Sequence, residues 1–206
     1  MKIFQMEDQI EIISGQCRSS QERPFAQEQI DSLSSDTYQD ISSKHCFSKK
    51  DLERCADGVL FGQGNAQLPM SPLLMMDRVI DIQSEGGKYS RGYAIAELDI
   101  KKSDWFFQSH FKGDPIMPGC LLIESLWQLT GFHLAWSGHF GKGRVLDSGR
   151  TKFLLPATQE TNSLTITVNI KKILKRDNPI FIADGLVEEN NNIICKSENL
   201  KIGLFS

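Results

Sequence analysis

The sequence predicts an α+β fold in which an antiparallel β-sheet wraps around one long, central, apolar helix. Three observations carry this. Residues from Pro118 to about Trp136 are apolar on nearly every helical face, as in a helix that is covered on all sides. Four β-rich segments follow it, divided by turn chemistry, and a further pair precedes it, joined at Gly86-Gly87. With 206 residues the chain can bury such a core without disulfides or metals, and one domain with an appendage is the expected organisation.

Residues 1–46 read as a polar N-terminal extension. Gly15 to Lys44 is rich in Ser, Gln, Asp and Glu and poor in large apolar residues, so it is expected to be disordered or loosely docked, leaving residues 47–206 as the folded domain. Ser48-Lys49-Lys50-Asp51 reads as a helix start: a hydroxyl can accept from the first-turn N–H groups, and an acid lies near the positive end of the dipole. That helix should stop at Gly58. Leu73 to Ile82 and the alternating Tyr89 to Ile100 read as a hairpin. Pro118 suits the first turn of the apolar helix, where its missing N–H is no loss. Arg144 to Leu155, Ser163 to Lys175, Ile180 to Glu189 and Ile193 to Phe205 are the later strands, punctuated by Pro156, Asp177-Asn178-Pro179 and Asn190-Asn191-Asn192.

Composition narrows the function. A net charge of -3 gives no reason to expect a nucleic-acid partner. The longest apolar runs fall well short of the ~20 residues a membrane helix needs, and no basic-then-apolar segment opens the chain, so a soluble, cytoplasmic protein without membrane insertion is expected. The five cysteines are scattered with no CxxC pair, which fits free thiols in a reducing compartment. The four histidines include no HExxH, and neither a metal nor another cofactor is expected.

The chemistry concentrates between Trp105 and Glu124. This stretch holds His110, a Gly/Pro-punctuated loop, the start of the apolar helix and an acid within its first two turns. A glutamate on an apolar helix is rarely buried unless it is paired or functional. Gly119 and Cys120 lie at the helix N-terminus, where backbone N–H groups lack intrahelical acceptors and face the positive end of the dipole. Such donors can polarise a thioester carbonyl and hold the enolate formed when an α-proton leaves. A neutral His110 can take that proton and a protonated Glu124 can deliver one to a departing hydroxyl, which together make a dehydration.

Between Phe47 and Phe205 the sequence resembles the β-hydroxydecanoyl-acyl carrier protein dehydratases of bacterial type II fatty-acid synthesis. The matching pieces include Leu74-Met75-Met76-Asp77-Arg78-Val79, Ala96-Glu97-Leu98-Asp99-Ile100, His110-Phe111, Met117-Pro118-Gly119-Cys120-Leu121, Trp127-Gln128-Leu129, Ala183-Asp184-Gly185 and Leu200-Lys201-Ile202-Gly203-Leu204-Phe205. The resemblance implies the hot-dog fold and a homodimer whose shared sites pair His110 of one chain with the helix acid of the other. It also implies a substrate carried on the phosphopantetheine of acyl carrier protein, with no other cofactor. Where that family, which both dehydrates and isomerises, usually carries aspartate, this chain has Glu124, as in the sister 3-hydroxyacyl-acyl carrier protein dehydratases. Formation of trans-2-enoyl thioesters with weak trans-2 to cis-3 isomerisation is therefore the expected activity, in fatty-acid or related lipid or polyketide synthesis. Lys171, Lys172, Lys175, Arg176 and Lys201 are the expected docking residues for acyl carrier protein, with a solvated strand face as the alternative.

Other readings remain open at this point. His110 can be a structural histidine, and Glu124 can form a buried ion pair with Arg144 or Arg150. Cys120 lacks an activating histidine and acid beside it in sequence, so its N–H rather than its thiol is expected to act. A hot-dog acyl thioesterase and a non-catalytic hot-dog partner subunit are the alternative functions.

Overall fold

The computed structural model describes residues 41–174 and 178–205. Helix α1 (Lys49–Ala56) starts where Ser48 predicts, closed by a capping box: the Ser48 hydroxyl accepts the Asp51 N–H while the Asp51 carboxylate accepts the Ser48 N–H. Strands β1 (Arg78–Gln83) and β2 (Tyr93–Asp99) precede a short 3₁₀ turn at Trp105–Gln108 and helix α2 (Gly119–Trp136). Strands β3 (Lys142–Asp147), β4 (Arg150–Phe153), β5 (Ser163–Leu174), β6 (Ile180–Glu189) and β7 (Asn192–Phe205) complete a seven-stranded sheet. Its order is β1-β2-β5-β6-β7-β3, with β4 also paired to β7 and every pairing antiparallel. The sheet wraps α2, as the fold prediction requires. This is the hot-dog fold.

The wrapping follows from burial. Leu121, Leu122, Leu126, Leu129, Phe132, Leu134 and Trp136 are all buried, which covers most of α2 and leaves its first turn and the side bearing Glu124, Trp127 and Gly131 partly open. The strands answer with alternation: β5 buries every second residue from Leu164 to Ile170. Gly185 on β6 sets how close the sheet comes, since a Cβ there would lie 2.7 Å from Leu126 Cδ2. Truncating a buried leucine such as Leu126 belongs to the class that costs about 2–5 kcal/mol.

Three segments depart from expectation. Leu73–Asp77 is not strand, because the side chain of Gln128 takes the Met75 N–H (2.8 Å) and donates to the Leu73 carbonyl (2.7 Å), replacing a ladder partner. The β1–β2 connection is longer than a Gly86-Gly87 turn, because residues 84–92 are tied down on β5 and β6: the Lys88 N–H donates to Asn169 Oδ1 (2.8 Å) and the Tyr89 hydroxyl donates to Asp184. Arg144 to Leu155 divides into β3 and β4 at a turn where Gly149 takes φ +62° and the Asp147 carboxylate accepts its N–H. Of the N-terminal extension, residues 1–40 lie outside the described residues, as does the segment at 175–177. The described end is bonded to the domain. Trp136 Nε1 donates to the Lys44 carbonyl (2.9 Å), the Ile82 N–H donates to the His45 carbonyl (3.0 Å), and Phe47 bridges Val79 in both directions. These bonds cover part of the outer edge of β1, while β3 forms the other end of the sheet.

His133 on α2 is buried against Trp136 and Phe181, with Nε2–H donated to the Gln83 carbonyl (2.9 Å) and Nδ1 buried without a partner among the described residues. Desolvation holds its pKa down to about 4. Between the ordinary histidine value of about 6.5 and that value the unfolded chain binds a proton that the folded chain refuses. Stability present above pH ~6.5 should therefore fall as pH drops, by about 3 kcal/mol from this residue at 1.36 kcal/mol per unit. Urea unfolding across this range should show the fall, and His133→Gln, which retains a donor for Gln83, should flatten it. Identical slopes in the two proteins would contradict the assignment.

Candidate active site

His110 follows the 3₁₀ turn and is clipped in place by backbone. Its N–H donates to the Phe106 carbonyl (2.9 Å), and its own carbonyl accepts the Ile116 N–H (2.8 Å). The ring then returns the bond, with Nδ1 3.1 Å from the Ile116 carbonyl oxygen. A carbonyl can only accept, so Nδ1 carries the hydrogen and Nε2 keeps its lone pair. That is the form a base needs. Phe111 stacks on the imidazole with ring centroids 3.8 Å apart, and the His110–Phe111 peptide is cis. The loop is anchored further along, where the Met117 N–H donates to the Ala157 carbonyl (2.8 Å).

Pro118 caps α2 with φ -57° and ψ 131° and offers no side-chain hydrogen bond to the first turn. The Leu121 N–H returns to the Pro118 carbonyl (2.9 Å), whereas those of Gly119 and Cys120 have no hydrogen-bond acceptor among the described residues. Cys120 is exposed, and Gly119 is half-buried, with the Phe153 ring 2.8 Å from where a Cβ would stand. Two donors at the positive end of an 18-residue helix form an anion-binding pair.

Glu124 sits one turn further in, half-buried, and forms no ion pair among the described residues. Arg150 binds Glu198 (3.1 Å) and Arg144 donates to the Gly143 carbonyl (2.7 Å), so the ion-pair reading of Glu124 is not what the structure shows. Its partner is Gln128, at helical i, i+4 spacing, which the sequence marks only as part of the matching piece Trp127-Gln128-Leu129, with no role of its own. Gln128 Nε2 donates to Glu124 Oε1 (2.9 Å). The orientation of that amide is determined, because Oε1 must accept from Met75 and Nε2 must donate to Leu73. Glu124 Oε1 is thus an acceptor, and any carboxyl proton lies on Oε2.

Glu124 also lines a cavity of about 160 Å³ running between α2, the loop after α1, and the β3–β7 edge. Phe61, Leu68, Trp127, Phe132 and Ile202 give it an apolar interior. Trp127 Nε1 is buried there without a partner among the described residues. Cys55 is the thiol in the wall, and burial pushes it up to about 12, which removes it as a nucleophile. His110 does not line this cavity, and no hydrogen bond joins it to Glu124 within the chain among the described residues.

The basic residues singled out from sequence are more dispersed in charge than in number. Lys171 is held by Asn199 Oδ1 (2.7 Å) and Asp184 (3.7 Å), and Lys201 by Asp147 (3.2 Å). Lys172 is half-buried on β5, and Lys175 and Arg176 lie outside the described residues. No group of three His, Cys, Asp or Glu residues is placed to hold a metal among the described residues, and no helix there is long and apolar enough to cross a membrane.

Residues 68–198 match the family described as FabA-like domain. Among solved structures, a dehydratase heterocomplex, ApeI:P from Xenorhabdus doucetiae, aligns over 68% of this chain and 88% of its own with a TM-score of 0.53 at 15% identity. AziG from S. sahachiroi aligns over 62% of this chain and 89% of its own, with a TM-score of 0.44 at 16% identity. At the first of these scores the likeness is one of fold.

Gln128→Leu keeps the volume but strands the Met75 N–H and the Leu73 carbonyl. The buried Met75 N–H left unsatisfied costs about 1–3 kcal/mol while the carbonyl of the exposed Leu73 can turn to water, so the variant should lose roughly 1–3 kcal/mol in chemical denaturation. A loss below about 1 kcal/mol would mean that the amide does not hold the 73–75 segment.

Proposed function

Since this chain belongs to the FabA-like domain family, we propose that it is a 3-hydroxyacyl thioester dehydratase, acting on (3R)-hydroxyacyl groups carried on the phosphopantetheine of acyl carrier protein. The observation that carries this reading is the fixed tautomer of His110. With Nδ1–H committed to the Ile116 carbonyl, a neutral imidazole keeps its lone pair on Nε2, the nitrogen left to act as base.

The thioester oxygen accepts from the Gly119 and Cys120 N–H groups, which lowers the cost of removing the C2 proton and holds the enolate charge. His110 Nε2 takes that proton. The electron pair of the C2–H bond becomes the C2–C3 double bond, the C3–O bond breaks, and Glu124 Oε2 protonates the departing hydroxyl to release water. The imidazolium and the carboxylate then exchange a proton through solvent, restoring both groups. The aliphatic tail lies in the cavity beside Glu124, whose apolar walls and passive Cys55 suit a chain that must be held without reacting. Acyl carrier protein approaches the part of the sheet where β5 and β7 carry Lys171, Lys172 and Lys201, while Lys175 and Arg176, the other expected docking residues, lie outside the described residues.

The active unit in this reading is a homodimer in which His110 of one chain works with Glu124 of the other. That no hydrogen bond joins the two within the chain, among the described residues, supports it. So does exposed apolar surface near the open end of the sheet: Val145 and Leu146 on β3, Phe153, Leu154 and Leu155 at β4, and Phe111 beside His110 are each about half exposed.

The test is product analysis with 3-hydroxyacyl pantetheine thioesters. The wild-type protein should give the trans-2-enoyl product with little cis-3 isomer, and folded His110→Ala should be slower by about 10²–10⁴-fold. Free acid and thiol as the main products would instead identify a thioesterase, and normal turnover in His110→Ala would overturn the assignment of the base.

A further inference from the structure

Resting on the dehydratase reading, we propose that Gly131 sets the acyl-chain length the site accepts, keeping open the part of the cavity in which the far end of a medium-length aliphatic tail lies. Glu124, Trp127, Gln128 and Gly131 follow helical i, i+3, i+4, i+7 spacing and all line the cavity, so they form one stripe along α2. Seven residues at 1.5 Å rise make that stripe roughly 10 Å long, with the acid at one end and the glycine at the other.

A glycine in a helix interior costs about 1 kcal/mol relative to alanine, so its presence calls for a reason. Packing does not supply one. At Gly185 an added Cβ would collide with Leu126 at 2.7 Å, but at Gly131 it would meet only Ile202 Cγ2, at 4.0 Å, an ordinary contact. Conformation does not supply one either, because Gly131 lies within regular helix and has no positive φ. What the missing side chain leaves is space bordering the cavity. Gly143, on the β3 side of the same cavity, is open in the same way, with Leu204 Cδ2 at 4.0 Å. An engineered cavity of about 150 Å³ takes benzene, so 160 Å³ between Phe61, Leu68, Phe132 and Ile202 has room for a tail of about six carbons beyond the reacting ones.

Gly131→Ala and Gly131→Val test this with butanoyl, hexanoyl, octanoyl, decanoyl and tetradecanoyl members of the 3-hydroxyacyl pantetheine series. Gly131→Ala should melt no lower than the wild type. It should keep kcat/KM for the butanoyl substrate within about twofold and lose roughly tenfold or more for decanoyl, the scale of one methyl in an apolar pocket, with Gly131→Val cutting off at a shorter chain. A lower melting temperature in Gly131→Ala, an unchanged length profile, or an equal fall at all lengths would overturn the proposal. If the wild type dehydrates none of the substrates, the dehydratase reading fails, and binding of S-alkyl pantetheine thioethers of the same lengths decides the role of Gly131. Selective loss of the longer thioethers in Gly131→Ala would support that role, and equal binding would overturn it.

Discussion

An 18-residue helix without a polar face has to be enclosed, and the rest of this molecule is organised by that requirement. The sheet curls because α2 needs cover from β2, β5, β6 and β7 at once. Gly185 is required where the contact is closest. The polar side chains on α2 must settle their hydrogen bonds locally or with backbone: Ser125 donates to the Leu122 carbonyl, Thr130 to Leu126, His133 to Gln83. Enclosure fails at the N-terminus and along the Glu124–Gly131 stripe. Those are the places where a small molecule can meet the helix.

At the proposed site, each candidate reactive atom is positioned by backbone rather than by another ionised side chain. The Ile116 carbonyl selects the His110 tautomer, the 73–75 segment orients the Gln128 amide that holds Glu124, and the helix itself aims the Gly119 and Cys120 N–H groups. Backbone partners do not titrate, so these orientations do not depend on the charge of a neighbouring side chain. The arrangement costs the 73–75 segment its place in the sheet, since Gln128 occupies the groups that a neighbouring strand would bond.

The architecture was legible because it rests on periodicity. The apolar helix, the alternating strands β5 to β7 and the Ser48 cap are local patterns, and each formed within a residue or two of its expected position. His110 and Glu124 were legible as anomalies, a histidine before a Gly/Pro loop and an acid on an apolar helix. Gln128 was not, because its importance lies in backbone partners 53 and 55 residues away that no local spacing announces. The division between β3 and β4 was hidden for a similar reason, since both strands pair with a β7 that comes more than forty residues later in the chain. The basic residues looked like one cluster in sequence, yet Lys171 and Lys201 meet separate carboxylates that only the pairing of strands brings near.

The central claim is that acid and base meet across two copies of the chain. His110→Ala and Glu124→Gln proteins, each inactive alone, can be mixed under conditions of demonstrated subunit exchange and assayed for dehydration. A mixed dimer holds one site with both groups intact and one with neither, so at full exchange the mixture should recover up to about a quarter of wild-type activity, since about half of the dimers are mixed and each has one working site of two. A mixture that exchanges subunits and stays as inactive as its parents would contradict the shared site.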